Sequence, residues 1–184
     1  TSNPWVLTSL LNRVAGWRLF TKTGFQDTVR DICGPAYPPR WYPLTYRLPE
    51  DEKEFLLAAD RRPGTQWICK PGGGSCGRGI FLVTDPRRME PQIRAVVQEY
   101  IAQPLLLQGC KFDLRMYVTV ARVAPLLVYY RNGYVRRSLA PYSPDAEDVH
   151  AHLTNAAVQK KVPGYEAHKE SSIWTPAQLE HCLV

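Results

Sequence analysis

Residues 111–117, KFDLRMY, set two cations around one carboxylate at alternate positions. Side chains two apart share a face of a strand, so Lys111, Asp113, Arg115 and Tyr117 line one side. Phe112, Leu114, Met116 and Val118 line the other, which reads as a core face. Such a charged row is costly to bury and useful to a polyanion. Lys111 and Arg115 can neutralise phosphate oxygens, while Asp113 accepts from ribose hydroxyls or meets a cation; a solvated strand face is the plain alternative. A second cation, Lys70, precedes a glycine-rich stretch in WICKPGGGSCGRGIFLV, residues 67–83. Gly72, Gly74 and Gly77 match G-x-G-x-x-G, but a dinucleotide site needs a helix next. Here IFLVT follows Gly79, and those are strand formers. The phosphate-loop pattern fails as well, because Arg78-Gly79 stand where Lys-Ser/Thr are needed. What remains is strand, glycine loop, strand. Without Cβ atoms the loop's N–H groups can approach phosphates, and Lys70 adds charge beside them. The bland reading is a surface hairpin with a solvated lysine.

Three shorter runs add candidates. In VVQEYI, residues 96–101, Gln98 and Glu99 interrupt an apolar strand. An adenine edge is read by backbone groups of such a segment plus one amide, which Gln98 supplies unless it merely faces solvent. In GYVRRS, residues 133–138, Arg136 and Arg137 point oppositely, so only one faces the Lys111 row. HLTN, residues 152–155, gathers an imidazole, a hydroxyl and an amide suited to phosphate, ribose or metal-bound water, or to capping a helix.

The elements that must position these groups follow from the pattern. LTSLLNRVAGWRLF reads as an amphipathic helix, and GPAYPPRWYP, with four prolines, as an extended connector. DEKEFLLAAD, residues 51–60, reads as a helix with an acidic first turn. QWIC, GIFLV, AVVQEYI, FDLRMYVTVARV and PLLVYYR read as strands, with turns at Asp85-Pro86 and Asn132-Gly133, the latter a hairpin signal. Thr175 as N-cap and Pro176 at the first helical position open a last helix. The fold class is therefore α+β, a mainly antiparallel, hairpin-rich sheet with helices.

Composition sets the bounds. At 184 residues and 45% hydrophobic content the chain can bury the core of one domain, or of one and a partial second. No run of 18 apolar residues suggests a membrane span, and no secretory signal opens the chain, which starts at Thr1. Five cysteines without a C-x-x-C pair argue against a zinc or disulfide framework and suit a reducing cytoplasm. The net charge of +6 favours an acidic partner, or is an ordinary basic surface.

Taken in order, WICKPGGGSCGRGIFLV, VVQEYI, PLLLQGCKFDLRMYV, GYVRRS and HLTNAAVQKK resemble the tubulin tyrosine ligase-like family, over residues 38–184. The resemblance implies an ATP-grasp fold, in which two α+β subdomains hold ATP. It implies an ATP-dependent ligase that joins an amino acid to a protein through an acylphosphate, mainly on the acidic C-terminal tails of tubulin. Residue by residue, it implies nucleotide contacts for Lys70, Cys76, Gly77, Gln98, Glu99, Tyr100, Ile101, Lys111, Phe112, Asp113, Thr154 and Asn155. Catalytic roles fall to Arg115 and Lys111; Arg136, with Lys160, serves the incoming amino acid. Residues 1–60 become a divergent N-terminal lobe with a proline-rich lead-in, and 61–184 the nucleotide-binding core.

ATP and magnesium are the implied cofactors. The family's magnesium ligands lie in an Asp and a later Glu-x-Asn motif, and the asparagines here (Asn3, Asn12, Asn132, Asn155) form no such motif. No metal ligand is therefore assigned, and the core is expected to be incomplete at its C-terminus. The motifs sit nearest the polyglycylase branch, with a glutamate-adding ligase or a catalytically dead tubulin-binding module as alternatives. Partners are tubulin or microtubule tails and free glycine or glutamate, with neither nucleic acid nor membrane. The expectation is a monomer in the cytoplasm on the cytoskeleton, including a cilium or axoneme.

Overall fold

The structure, a computed structural model, describes residues 17–90, 92–122, 124–144 and 148–183. The described residues fall into two compact units, divided between Ala102 and Gln103. The separation of 1–60 from 61–184 concerns motif content, which this packing division does not test.

The first unit holds strands β1 (Thr45–Leu48), β2 (Trp67–Pro71), β3 (Phe81–Val83) and β4 (Ala95–Glu99) in the antiparallel order β1-β4-β2-β3. Alternation along these strands sorts two faces. Leu48, Trp67, Cys69, Ala95 and Val97 turn to one, where Phe55 of a helix joins them in the buried core. The Phe55 ring meets Trp67 edge-on at 5.3 Å. Burying side chains of this size contributes about 1.5–3 kcal/mol each. The other face carries Thr45, Ile68, Lys70 and Gln98, brought together by the register Thr45↔Gln98 and Ile68↔Gln98.

Among the described residues three α-helices serve this sheet: α1 (Trp17–Phe20), α2 (Lys22–Cys33) and α3 (Glu52–Arg61). The first part of the expected helix LTSLLNRVAGWRLF lies outside the described residues; its end forms α1. The sequence reading did not anticipate α2. Thr21 caps it by accepting from the Gly24 amide at 3.0 Å, and Gly24 is required because a Cβ there would fall 2.4 Å from the Arg18 carbonyl oxygen. Buried Gln26 and Val29 place α2 on the polar face of the sheet. In contrast, α3 follows expectation, with Glu52 and Glu54 in its first turn. Asp51 does not cap α3 with its side chain; its carboxylate pairs with Arg30 at 2.8 Å instead.

The second unit holds β5 (Leu106–Leu107), β6 (Cys110–Arg122), β7 (Leu127–Arg137) and β8 (Ile173–Trp174) in the antiparallel order β5-β6-β7-β8. Helices α4 (Val149–His152), α5 (Ala156–Gln159), α6 (Tyr165–His168) and α7 (Pro176–Leu183) complete it. Thr175 caps α7, accepting from the Gln178 amide at 3.2 Å.

Two expectations about the β6–β7 hairpin are corrected. Asn132-Gly133 is not the turn but lies inside β7, opposite the irregularity between Arg115 and Tyr117. The ladder continues on both sides of it, and a Cβ at Gly133 would sit 1.8 Å from the Arg115 carbonyl oxygen. Glycine is therefore needed for close backbone approach at a bulge, rather than for a reversal. The second correction concerns Leu114, Met116 and Val118, which share a face as expected but are 52%, 40% and 63% exposed. Alternation sets which way a side chain points; burial needs a partner, and the described residues supply none there.

Candidate functional site

In the first unit, the chemistry begins at the end of β2. Lys70 donates to Gln98 Oε1 at 2.6 Å, and Gln98 Nε2 donates to Thr45 Oγ1 at 2.8 Å. Burial, and then the nearby charge of Lys22, pull the Lys70 ammonium down to about 8 from its ordinary 10.5. Lys22, on the first turn of α2, donates to the carbonyls of Pro71 (3.0 Å) and Gly74. Two ammonium groups thus share a neighbourhood, and the acceptors they use are uncharged. That arrangement leaves positive charge available to an anion.

The segment between β2 and β3 is the hairpin expected from its sequence, paired Trp67↔Val83 through Cys69↔Phe81. Cys76 (φ +58°) and Gly77 (φ +77°) take consecutive left-handed conformations, and the Cys76 thiol is exposed. The Gly72 amide is fixed to the Arg94 carbonyl at 3.0 Å, so one foot of the loop is anchored. On β4 and just beyond it, the Glu99 amide donates to Leu44 O and the Tyr100 amide to Gln66 O. The Glu99 carboxylate meets Arg62 at 3.0 Å, Tyr100 is buried, and Ile101 is exposed.

In the second unit, register pairs Asp113 directly with Arg136 across β6 and β7. Arg136 Nε donates to Asp113 Oδ1 at 2.7 Å, its terminal nitrogen donates to Oδ2, and Thr154 Oγ1 adds a bond to Oδ2 at 3.0 Å. The hydrogen bonds that Arg136 donates to Asp113 raise the Arg136 pKa above its usual value despite burial. Arg137 points away, to Leu107 O at 3.2 Å and over the Trp174 ring, as alternation requires. Lys111 Nζ lies 5.9 Å from the Tyr142 ring centroid. Phe112 pairs with Arg137 across the strands, and Arg115 pairs with Tyr134 with its side chain exposed.

The HLTN run is held by a residue that sequence reasoning passed over. Gln159, fully buried, accepts from the Leu139 amide (2.8 Å) and donates to the carbonyls of His150 (2.8 Å) and Leu153 (2.7 Å). It ties the turn bearing Thr154 to the end of β7. Asn155 occupies the N-cap position of α5 without a side-chain capping bond, and Lys160, at the other end of α5, is exposed. The structure therefore joins Asp113, Arg136 and Thr154 in one cluster and Lys70 with Gln98 in another, while Lys160 stands in neither.

Residues 18–181 match the sequence model of the tubulin-tyrosine ligase family. The chain belongs to the tubulin-tyrosine ligase family. Its α+β architecture of antiparallel, hairpin-rich sheets with helices is accordingly the ATP-grasp-like one expected. Mouse "Protein polyglycylase TTLL10" is 40% identical over 166 residues, covering 78% of this chain and 23% of its own length. Human "Inactive polyglycylase TTLL10" is 37% identical over 168 residues, covering 78% of this chain and 24% of its own. Human "Tubulin polyglutamylase TTLL13" is 37% identical over 169 residues, covering 82% and 21% respectively. The chain thus spans about a quarter of the length of the curated relatives it matches.

Within this family member, the sequence reading gave no role to three positioning residues: Lys22, Thr45 and Gln159. Lys22 lies in no charged run, Thr45 reads as an ordinary strand residue, and Gln159 sits inside a quoted motif with no chemistry assigned to it. A polar residue at a position that alternation or helical spacing makes internal was the available signal. No magnesium ligand set is assigned from the described residues. Among the described residues no three of His, Cys, Asp and Glu gather, and Asp113 is already engaged by Arg136 and Thr154. No step is therefore assigned to a metal.

Proposed function

We propose that this chain carries the nucleotide-handling residues of an ATP-dependent ligase that adds an amino acid, glycine in the first instance, to side chains of tubulin or another protein. The observation that carries this reading is Lys70. It stands at the base of a glycine hairpin with Lys22 nearby, and its hydrogen-bond acceptor is a neutral amide, so its charge remains available to phosphate.

In the proposed reaction the γ-phosphoryl group of ATP passes to an acceptor carboxylate, giving an acylphosphate and ADP. The amine of the incoming amino acid attacks the acyl carbon, a proton is lost, and phosphate leaves as the peptide or isopeptide bond forms. Lys70, Lys111 and Arg115 counter the charge developing on the transferred group. Cys76 and Gly77 lie in the loop covering the phosphates. Glu99, Tyr100 and Ile101 flank adenine, and Gln98 Oε1 keeps one lone pair beyond its Lys70 bond for the adenine amino group. Phe112, Asp113, Thr154 and Asn155 complete the nucleotide contacts; Arg136 holds the amino acid's carboxylate, and Lys160 borders that pocket. Residues 61–184 form the nucleotide-binding core in this reading, and the site of action is the microtubule, in the cytoplasm and in cilia or axonemes.

The support for glycine is the identity to mouse polyglycylase TTLL10; the 37% identity to polyglutamylase TTLL13 supports glutamate as the alternative amino acid. The test is incorporation of labelled glycine and glutamate into tubulin in the presence of ATP, with Lys70→Ala and Lys111→Ala. Loss of incorporation in both variants is the expected result, and unchanged incorporation in both overturns the proposal. A second reading is favoured by the name of the human relative, an inactive polyglycylase, and by the net charge of +6: a tubulin-binding module without turnover. It expects no incorporation by the unaltered chain and salt-sensitive co-sedimentation with microtubules that disappears once subtilisin removes the acidic tails.

A further inference from the structure

We propose that Thr45, Gln98 and Lys70 form a polarised hydrogen-bond relay, in which Thr45 is a positioning residue that fixes the Lys70 ammonium for anion binding. The relay rests on the nucleotide reading above for its purpose, but its geometry stands on its own. Thr45, Gln98 and Lys70 occupy three adjacent strands, β1, β4 and β2, and share one face of the sheet.

The direction of every bond follows from donor counting. A threonine hydroxyl has one hydrogen. Pro43 O, 2.8 Å from Thr45 Oγ1, can only accept, so it takes that hydrogen. The hydroxyl's remaining capacity is to accept, so the group facing it must donate. Gln98 Nε2 does so at 2.8 Å, which turns Gln98 Oε1 toward Lys70. An ammonium has donors only, so an oxygen is the partner it needs, at 2.6 Å. Were the amide reversed, its NH2 group would face the ammonium and the lysine would lose its acceptor.

Thr45 is itself held from both sides. Tyr37 OH accepts from the Thr45 amide (2.9 Å) and donates to its carbonyl (2.8 Å), while Gln26 Nε2 donates to that same carbonyl at 2.8 Å. Thr45 has no exposed surface, so water offers its hydroxyl no substitute partner, while Gln98 and Lys70 are partly buried. Among the described residues the charged group acting on Lys70 is Lys22, of like sign, and no carboxylate contributes. Lys70 is thus oriented without being neutralised. A carboxylate in place of the Gln98 amide would orient it equally well and cancel its charge.

The experiment compares wild type, Thr45→Ser, Thr45→Val and Gln98→Glu by two readouts. One is the pH midpoint of Lys70 acylation by an amine-selective reagent, mapped by mass spectrometry on the ligand-free chain. The other is affinity for a fluorescent ATP analogue. Wild type and Thr45→Ser are expected to share a midpoint near 8, where Lys70 titrates. Thr45→Val, which frees the amide to reverse, lowers it, and Gln98→Glu raises it toward 10.5, the ordinary lysine value. Nucleotide affinity falls about tenfold in Thr45→Val and in Gln98→Glu, the scale of one hydrogen bond to a charged group. A Gln98→Glu midpoint still near 8, or a folded Thr45→Val matching wild type in both readouts, overturns the relay. If wild type binds no nucleotide, the functional reading falls, and the acylation midpoints still decide the relay.

Discussion

Replacing Lys70 by Met reverses its effect on stability between neutral and alkaline pH. The folded chain holds the Lys70 proton less tightly than the unfolded chain does. Its burial therefore costs stability wherever the unfolded lysine is charged; the cost is full below about 8 and vanishes above 10.5. A fall from 10.5 to about 8 corresponds to roughly 3 kcal/mol. Methionine has a similar length and no charge, so it removes that cost, but it also leaves Gln98 Oε1 without its donor, a loss of about 1–1.5 kcal/mol. Lys70→Met is then more stable than wild type by roughly 1–2 kcal/mol at pH 7 and less stable by roughly 1 kcal/mol well above 10. Urea denaturation of both proteins at pH 7, 8, 9 and 10, followed by tryptophan fluorescence, measures the gap. It should move by roughly 2–3 kcal/mol toward wild type across that range. A nucleotide bound at saturating concentration restores the lysine's affinity for its proton and flattens the curve for wild type alone. A gap that stays constant with pH refutes the assignment of Lys70 as a partly buried, unneutralised cation.

Two further outcomes follow from the second unit. Asp113→Asn leaves the Arg136 guanidinium, whose side chain is only 15% exposed, with a neutral partner. Stability should fall by roughly 1–3 kcal/mol in thermal melts, the range for an unmatched polar or charged group that is partly solvated. Gly133→Ala forces a Cβ to within 1.8 Å of the Arg115 carbonyl oxygen, so β6 and β7 must part locally. A loss of about 3 kcal/mol, with faster hydrogen exchange at Arg115 and Tyr117 amides, is expected.

Much of the framework is legible in the sequence because period-two patterning survives in short strands. The runs QWIC, GIFLV, AVVQEYI, FDLRMYVTVARV and PLLVYYR each mark an observed strand, and the run after the glycine loop forms a strand where a dinucleotide fingerprint needs a helix. The charged row on β6 was legible for the same reason: alternation put Asp113 on the face where Arg136 meets it and sent Arg137 the other way. Local signals misled at Asn132-Gly133, because the dipeptide that favours a tight turn equally favours a bulge, and only the pairing partner decides between them. The relay at Thr45 was invisible for a different reason. Its function depends on which strand lies beside which, and the order β1-β4-β2-β3 is not written in any one segment. Helix α2 carried a capping threonine and a glycine at its third position, a combination that reads as a loop until the close contact with Arg18 is seen.

The second unit sets a limit on what Asp113 can do for a ligand. A carboxylate offers about four acceptor positions. Arg136 takes one on each oxygen, and Thr154 takes the second on Oδ2. One position on Oδ1 remains. A ribose hydroxyl can use it without disturbing the cluster, because it brings one hydrogen to one lone pair. A divalent cation asks for more. It would compete with a guanidinium that is already matched in charge and geometry, and displacing Arg136 would leave a largely buried cation unpaired. The same bonds constrain Arg136, since an amino-acid carboxylate must share its remaining donors with Asp113 instead of receiving its planar fork whole. Asp113 thus favours a neutral hydroxyl over a metal, and Arg136 favours a carboxylate approached from its free edge. Two roles proposed for neighbouring residues are coupled through one ion pair, so Asp113→Asn should weaken binding of the nucleotide and of the amino acid together.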